Sequence, residues 1–420
     1  MTHSKKRILV FTSTFPRWKN DAEPPFVLNL TKQLTKEFQC IVIAPHHKEA
    51  AIHEVIENIT VKRFRYFISR FQTLTYNGGI LARLKQNRLR SLQIPFFLLA
   101  ELFSLIKTLK SEKPHLIHAH WLIPQGLVAV IARKITRNPA KILCTIHGGD
   151  LYSLQGKVLN AIKKYILNNV DCITVVSNTM KSELTDMGID NDKVFVIPMG
   201  VDLLKTFKRN SQITRKPHSL LFVGRLVEKK GITYLIEAMQ NIVSQFPSTT
   251  LSIVGSGPDK IMLQTLTRQL DLDNNIKFLG NIENQKLVTI YNQHQVVIFP
   301  SIIANNGDQE GFGLVLVEAI GCECAVISTD LEPMKDIITH NQDAIIVKQK
   351  SPDAITHAVK ELFTNDNLAG RIAKHGRQQV VKYFDWNVIG EKYIRIIKQT
   401  VNQTEPPRTI QNKKTPFDRA

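Results

Sequence analysis

At 420 residues, 43% of them hydrophobic, the chain is long for one domain and comfortable for two, each able to bury a sizeable core. Its net charge of +19 is uneven, with 28 basic against 14 acidic side chains in the first 200 residues and 27 against 22 in the remainder, so the first half is expected to meet an anionic partner. Five cysteines at irregular spacing (Cys40, Cys144, Cys172, Cys322, Cys324) exclude a disulfide framework and suit a reducing compartment.

The polar, basic residues 1–7 are followed by an apolar run, 8–11, too short for a signal peptide or a membrane span, which points to a cytoplasmic protein. That run reads as a strand, followed by a polar loop through Pro25, a helix over 26–38 and a second strand over 40–44. Between Lys62 and Lys110 ten basic residues face a single acid, Glu101, and the apolar stretch 92–109 adjoins Arg83, Lys85, Arg88 and Arg90. Further strands are expected at 116–119, 142–146, 172–176 and 194–197. Apolar periodicity lapses over 201–218, which reads as a domain linker. The rhythm restarts at 220–224 and continues through 251–255, 276–279, 296–300, 325–328 and 344–347. Short apolar runs alternating with amphipathic helices mark parallel sheets. The chain is therefore predicted to be α/β, with two Rossmann-like doubly wound domains over 1–203 and 204–385. A last helix is expected over 386–401, and the polar tail 402–420, with Pro406, Pro407 and Pro416, is expected to be disordered.

Ligands gather at the carboxyl ends of such strands, and the loops there carry the informative residues. In Arg225-Leu226-Val227-Glu228-Lys229-Lys230-Gly231, Arg225 offers a planar fork and Lys230 a point charge, a pair that suits a diphosphate; a solvated basic turn is the competing reading. In Glu310-Gly311-Phe312-Gly313-Leu314-Val315-Leu316-Val317-Glu318, the apolar run behind Gly313 reads as a helix start. Glu310 then lies in the preceding loop and Glu318 about one and a half turns into the helix. Gly311 and Gly313 leave the backbone bare at a helix amino end, where N–H groups and the helix dipole favour phosphate. Glu318 is suited to accept hydrogen bonds from vicinal hydroxyls such as those of a ribose, and Glu310 from hydroxyls of another sugar. The apolar neighbours Val317, Ala319 and Ile320 weigh against a merely solvated Glu318. His147, in Ile146-His147-Gly148-Gly149-Asp150, is placed for hydrogen bonding to substrate or for proton transfer, or else caps a structural turn. His118 and His120 share one strand face without a partner that completes a metal site, and Cys322 and Cys324 read as buried packing. Gly255-Ser256-Gly257-Pro258 is half of a dinucleotide fingerprint, and a tight turn explains it as well. The missing remainder disfavours a dehydrogenase.

Taken together, these motifs make the chain similar to glycosyltransferase family 4, retaining enzymes of the GT-B fold. The resemblance rests on Glu-x7-Glu (Glu310, Glu318), Gly-Arg-Leu-x-x-x-Lys-Gly (Gly224 to Gly231), His-Gly-x-Asp (His147 to Asp150), Pro-x-Gly-Val-Asp (Pro198 to Asp202) and a corner formed by Phe384 and Trp386. It covers nearly the whole chain from Thr12-Ser13-Thr14-Phe15-Pro16-Arg17 onward. The resemblance implies two domains facing a central cleft, with the last helix crossing back to the first. It implies that Arg225 and Lys230 bind the diphosphate of a nucleotide sugar, Glu318 its ribose, Glu310 the transferred sugar and His147 a hydroxyl of that sugar, with Gly311, Phe312, Gly313 and Leu314 lining the donor site. No metal and no cofactor beyond the nucleotide-diphosphate sugar is implied. Where many members place paired glycines in the first strand-to-helix loop, this chain has Glu23-Pro24-Pro25-Phe26, and proline has no N–H to donate. Arg17 and Asp150 are candidate phosphate or acceptor contacts.

In such enzymes the first domain generally holds the acceptor, here a glycan or a lipid-linked one in cell-surface polysaccharide or glycolipid synthesis. The basic region 62–110 beside the apolar stretch suggests peripheral attachment to an anionic membrane; a core helix flanked by a solvated loop is the competing reading. A nucleotide-sugar epimerase of the same plan is the nearest alternative. Nucleic-acid binding is disfavoured, since the aromatic residues, 7% of the chain, do not interleave with the basic cluster.

Overall fold

The computed structural model describes residues 5–402 apart from residues 20, 22, 24 and 77. Pro24 of the first loop and the expected tail beyond Asn402 lie outside the described residues. The chain divides into two compact units, one formed by Met1–Pro198 with the C-terminal helix from Ile389 onward and the other by Met199–Val388.

In the first unit the apolar runs become strands because each is long enough to cross a sheet and apolar enough to be covered on both faces. The strands are β1 (Arg7–Phe11), β2 (Gln39–Pro45), β3 (His53–Ile56), β4 (Ile59–Phe64), β5 (Leu116–His120), β6 (Lys141–Ile146), β7 (Cys172–Val175) and β8 (Val194–Val196), in the order β3-β4-β2-β1-β5-β6-β7-β8. Every pairing is parallel except β3 with β4. That hairpin is not expected from the sequence. β3 is mostly exposed, β4 buries Ile59, Val61 and Phe64 but interrupts them with polar residues so that no apolar run forms, and the turn is made by Glu57 and Asn58 at φ of 50° and 65° without a glycine signal.

The second unit is a six-stranded parallel sheet of β9 (Lys216–Val223), β10 (Thr250–Val254), β11 (Ile276–Gly280), β12 (His294–Phe299), β13 (Ala325–Thr329) and β14 (Ile345–Val347), ordered β11-β10-β9-β12-β13-β14. Its core joins Leu220, Phe222, Ile253 and Ile298 of the strands to Leu235, Ile236 and Met239 of the helix Ile232–Gln245. In each sheet the strand order reverses beside the first strand, between β1 and β5 and between β9 and β12. Connections leave a crevice at such switch points.

The second unit begins at Met199, ahead of the linker expected from the sequence, for a physical reason. Val201 bridges Asp385, its N–H donates to the Phe384 carbonyl at 2.9 Å, and its carbonyl accepts from the Trp386 N–H at 3.2 Å. Gly200 lies so close to the Trp386 ring that a Cβ there would sit 2.5 Å from it. The Pro198–Asp202 and Phe384–Trp386 elements thus clasp each other. The helix Trp386–Asn402 leaves this clasp and packs on the first unit, where Tyr393 Oη lies 3.3 Å from Thr174 Oγ1 and Lys398 Nζ lies 2.7 Å from Glu37. All five cysteines are free and buried, Cys322 and Cys324 included.

One buried acid is unexplained by packing alone. Glu101, fully buried on the helix Ile94–Glu112, accepts from Gln125 Nε2 at 2.7 Å, while its own Oε2 and Gln125 Oε1 lack partners. Burial pushes its carboxyl from 4.5 up to about 8. The stability tied to the protonated form is therefore complete below pH 4.5 and is lost as pH rises through 8. Glu101→Gln supplies an amide donor for Gln125 Oε1 and removes the titration. We expect its stability relative to wild type to rise steadily from pH 5 to pH 8, by roughly 3 kcal/mol at about 1.4 kcal/mol per pH unit, measured by urea unfolding; a pH-independent difference would contradict the assignment.

Candidate functional site

In the second unit the loop after β9 and the loop after β12 meet at the switch point. Gly231 ends the first of them at φ +62°, and a Cβ on it would lie 1.9 Å from the Pro300 carbonyl oxygen. Only glycine permits that approach. Residues 228–230 then hold the second loop: Glu228 accepts from the Asn305 N–H at 3.0 Å, the Lys229 carbonyl accepts from Ile302 N–H at 2.8 Å, and Lys229 Nζ reaches Asp308 at 3.0 Å and the Gln309 carbonyl at 3.1 Å. Lys230 Nζ lies 3.1 Å from Glu310 Oε1. Two predicted site residues therefore form one ion pair, both largely shielded from solvent. Lys229, which sequence reasoning did not single out, is the residue that ties the loops together. Its signal, a second lysine beside Lys230, was present but ambiguous.

Arg225 is exposed, and among the described residues no side chain is paired with its guanidinium. The loop that carries it is backed by the Gly-Ser-Gly turn: a Cβ on Gly255 would lie 1.9 Å from the Gly224 carbonyl oxygen, and Leu226 N–H donates to the Ser256 carbonyl at 3.0 Å. These glycines serve close backbone packing, in keeping with a tight turn.

The helix Leu314–Gly321 starts from Gly313, which offers no side-chain cap, so its first N–H groups stay available. Phe312 is buried, its ring centroid 5.8 Å from that of Phe384, and it can offer a ligand little beyond its backbone. Leu314 is half-buried at the helix start and Gly311 half-buried before it. Glu318 is buried within the helix, and Tyr291 Oη, on the helix Asn284–Gln293, donates to its Oε2 at 3.1 Å. Burial pushes the Glu318 carboxyl up to about 8. Tyr291 has no motif around it, and only the fold brings it to Glu318.

In the first unit, His147 follows β6 and lies among aromatic rings, 4.9 Å from Trp121 and 5.1 Å from Phe26 between centroids. Its Nε2 lies 3.1 Å from His120 Nδ1, and its Nδ1 is buried without a partner. Burial pushes His147 and His118 down to about 3 and His120 far down as well, so all three rings are neutral at ordinary pH. His118 bonds Thr145 Oγ1 at 2.8 Å and belongs to the core. Asp150 is buried with its oxygens accepting from the Leu122 N–H at 2.8 Å and the His147 N–H at 3.1 Å. It braces the turn that presents His147. Arg17 is held by Asp21, at 2.8 Å from Nε and 2.6 Å from Nη2, and lies over the Trp18 ring, so its charge is already matched. Among the described residues no three His, Cys, Asp or Glu side chains are grouped as a metal ion requires.

Comparison with known proteins matches residues 25–204 to the family described as Glycosyltransferase Family 4 and residues 205–379 to Glycosyl transferases group 1. An uncharacterized glycosyltransferase of Methanocaldococcus jannaschii is 28% identical over 322 residues, covering 72% of this chain and 80% of the relative. A capsular polysaccharide biosynthesis glycosyltransferase of Staphylococcus aureus, CapM, is 26% identical over 324 residues, covering 73% and 82%. The structure of Anabaena HepE, solved in complex with UDP, has a TM-score of 0.72 at 16% identity, covers 94% of this chain and 99% of its own, and shares the fold.

The loop junction makes a stability prediction. Gly280 shares the left-handed backbone, at φ +70°, but a Cβ placed on it would meet nothing within 4 Å, whereas one on Gly231 meets the Pro300 carbonyl. Gly280→Ala should cost about 1–2 kcal/mol and Gly231→Ala at least about 3 kcal/mol, read from urea unfolding midpoints. Equal losses would show that the loops do not need this approach.

Proposed function

Because the chain belongs to glycosyltransferase family 4 and has the GT-B fold of two Rossmann-like domains, we propose that it is a retaining transferase that moves a sugar from a nucleotide-diphosphate sugar to a hydroxyl of a glycan or lipid-linked acceptor in polysaccharide synthesis. The observation that carries the donor reading is the Lys230–Glu310 pair at 3.1 Å beside a glycine-started helix that holds Glu318. Cations, free N–H groups and a carboxylate of the kind that accepts vicinal hydroxyls occur along one pair of loops.

In this reading the bond between the anomeric carbon and the diphosphate oxygen breaks, the acceptor hydroxyl oxygen takes its place on that carbon, and the hydroxyl proton is released with the nucleoside diphosphate; positive charge develops on the sugar and negative charge on the departing diphosphate. Arg225, Lys230 and the N–H groups at the start of the helix Leu314–Gly321 stabilise the departing charge without a metal. Glu310, which in the free protein lies 3.1 Å from Lys230 Nζ and 3.9 Å from Lys229 Nζ, accepts from hydroxyls of the transferred sugar. Glu318 accepts from the ribose hydroxyls, held in place by Tyr291. The neutral His147 bonds a sugar hydroxyl, and its low pKa suits a hydrogen-bonding rather than a proton-donating role. The enzyme works in the cytoplasm, on the inner face of an anionic membrane that the basic region 62–110 meets, and its acceptor binds the first unit.

A panel of nucleoside diphosphates, followed by calorimetry with the one that stabilises the protein, tests the donor half. Glu318→Ala should weaken binding by about 10–100-fold and Tyr291→Phe by about fivefold. Ribose hydroxyls and Tyr291 both donate to the ionised carboxylate, so affinity should rise as pH increases through about 8. Glu318→Gln should flatten that profile. A profile unchanged by this substitution would remove Glu318 from the nucleotide. Glu310→Gln should lower donor turnover by at least about tenfold while changing donor affinity much less, measured by donor hydrolysis with and without acceptor; wild-type turnover would remove Glu310 from the reacting sugar.

A further inference from the structure

The helix Ile94–Glu112 is apolar on two opposite faces. One face is buried: Phe97, Leu105 and Leu109 lie on it, and the helix packs against the helix Leu127–Thr136. The other face is bare. Phe96, Leu99 and Phe103 recur at intervals of three and four, which places them on one stripe, Leu92 lies just ahead of it in the turn Arg88–Gln93, and Leu92 and Phe103 are 70% and 68% exposed. The Phe67 ring lies 5.5 Å from that of Phe96, so the neighbouring segment, with Ile68 63% exposed, widens the stripe into a patch. Exposed apolar residues scattered singly need no explanation; a contiguous patch of this kind does.

Charge at its margin identifies the occupant. Lys107 and Lys110 continue the same stripe beyond Phe103 and are exposed, Arg88 is exposed in the turn that leads into the helix, and Arg70 lies 4.7 Å from the Phe71 ring centroid at the other side. The one acid between Lys62 and Lys110 is Glu101, which is fully buried on the opposite face. An apolar patch rimmed by cations, with no exposed acid in that span, matches acyl chains beneath anionic headgroups. A second copy would set these cations against one another across a twofold axis.

We propose that this face inserts into the interfacial layer of an anionic phospholipid bilayer, with Phe67, Phe96, Leu99 and Phe103 below the phosphates and Arg70, Arg88, Lys107 and Lys110 at their level. The helical stretch Arg88–Glu112, turn included, is long and apolar enough to cross a membrane by composition, with a mean hydropathy of 1.6. Its buried face, held in the first unit, instead keeps it parallel to the surface. This deepens the membrane part of the function proposed above, from adsorption by charge to insertion of a defined face.

The test uses the full chain without donor or acceptor, so its failure leaves the transfer reaction untouched. Vesicles of phosphatidylglycerol and phosphatidylcholine are floated at low and at high salt. Insertion predicts that wild type floats at low salt and that part of the binding survives high salt. It predicts that the Phe96→Ser, Phe103→Ser double variant floats about tenfold less or worse at both, with nucleotide-induced thermal stabilisation unchanged. In a Leu99→Trp variant, emission should shift to the blue on adding vesicles and be quenched by lipids brominated on the acyl chain. That measurement stands if the double variant does not fold. The proposal is overturned if wild type does not float, if salt abolishes binding and the aromatic substitutions leave it unchanged, or if the Leu99→Trp emission does not respond to vesicles. It is equally overturned if wild type sediments as a dimer that the double variant dissociates.

Discussion

A side chain at position 231 would put its Cβ 1.9 Å from the Pro300 carbonyl oxygen, and the candidate site of the second unit is arranged around that missing atom. Because the backbones touch there, Glu228, Lys229 and Lys230 reach the loop that follows β12 and set Glu310 beside a cation. The same device recurs at Gly255 against Gly224, which backs the loop bearing Arg225. Parallel sheets bring loops together at a switch point, and glycine decides how near they come.

Burial then sets the chemistry of the groups held there. Glu318 and Glu101 are both buried acids, Glu101 completely and Glu318 all but 8%, and both are pushed up to about 8. Their partners differ in consequence. Tyr291 points a donor at Glu318, which favours the ionised form when further donors arrive. Gln125 satisfies one Glu101 oxygen and leaves the other without a partner. In the first unit the same penalty keeps His147 neutral, and the His120 ring at 3.1 Å fixes which of its nitrogens remains open. A low-dielectric surrounding thus makes His147 a neutral hydrogen-bonding group, where sequence alone left hydrogen bonding and proton transfer both open.

The alternating apolar runs were enough to place twelve of the fourteen described strands, since a strand covered on both faces has to be written in apolar residues. The hairpin of β3 and β4 was not legible. It lies at the sheet edge, where one side is free to stay polar, and its Glu57-Asn58 turn carries no glycine. The paired motifs were legible as separate pieces, because spacing along the chain survives in the linear text. Their partners were not: Tyr291 meets Glu318 across 27 positions and Asp150 reaches the Leu122 N–H across 28. Arg17 and Asp150 show the limit from the other side, for both looked available to a ligand and both are occupied within the first unit.

By itself the sequence determined the α/β class, the family and the identity of the charged groups in the strand-end loops, all of which depend on local periodicity and fixed spacing. Tertiary structure decided which of those groups are paired, which are neutral and which face of the helix Ile94–Glu112 is left bare. Ion pairing, burial and exposure depend on atoms brought near from distant parts of the chain, and apolar periodicity does not say whether a stripe meets protein or solvent.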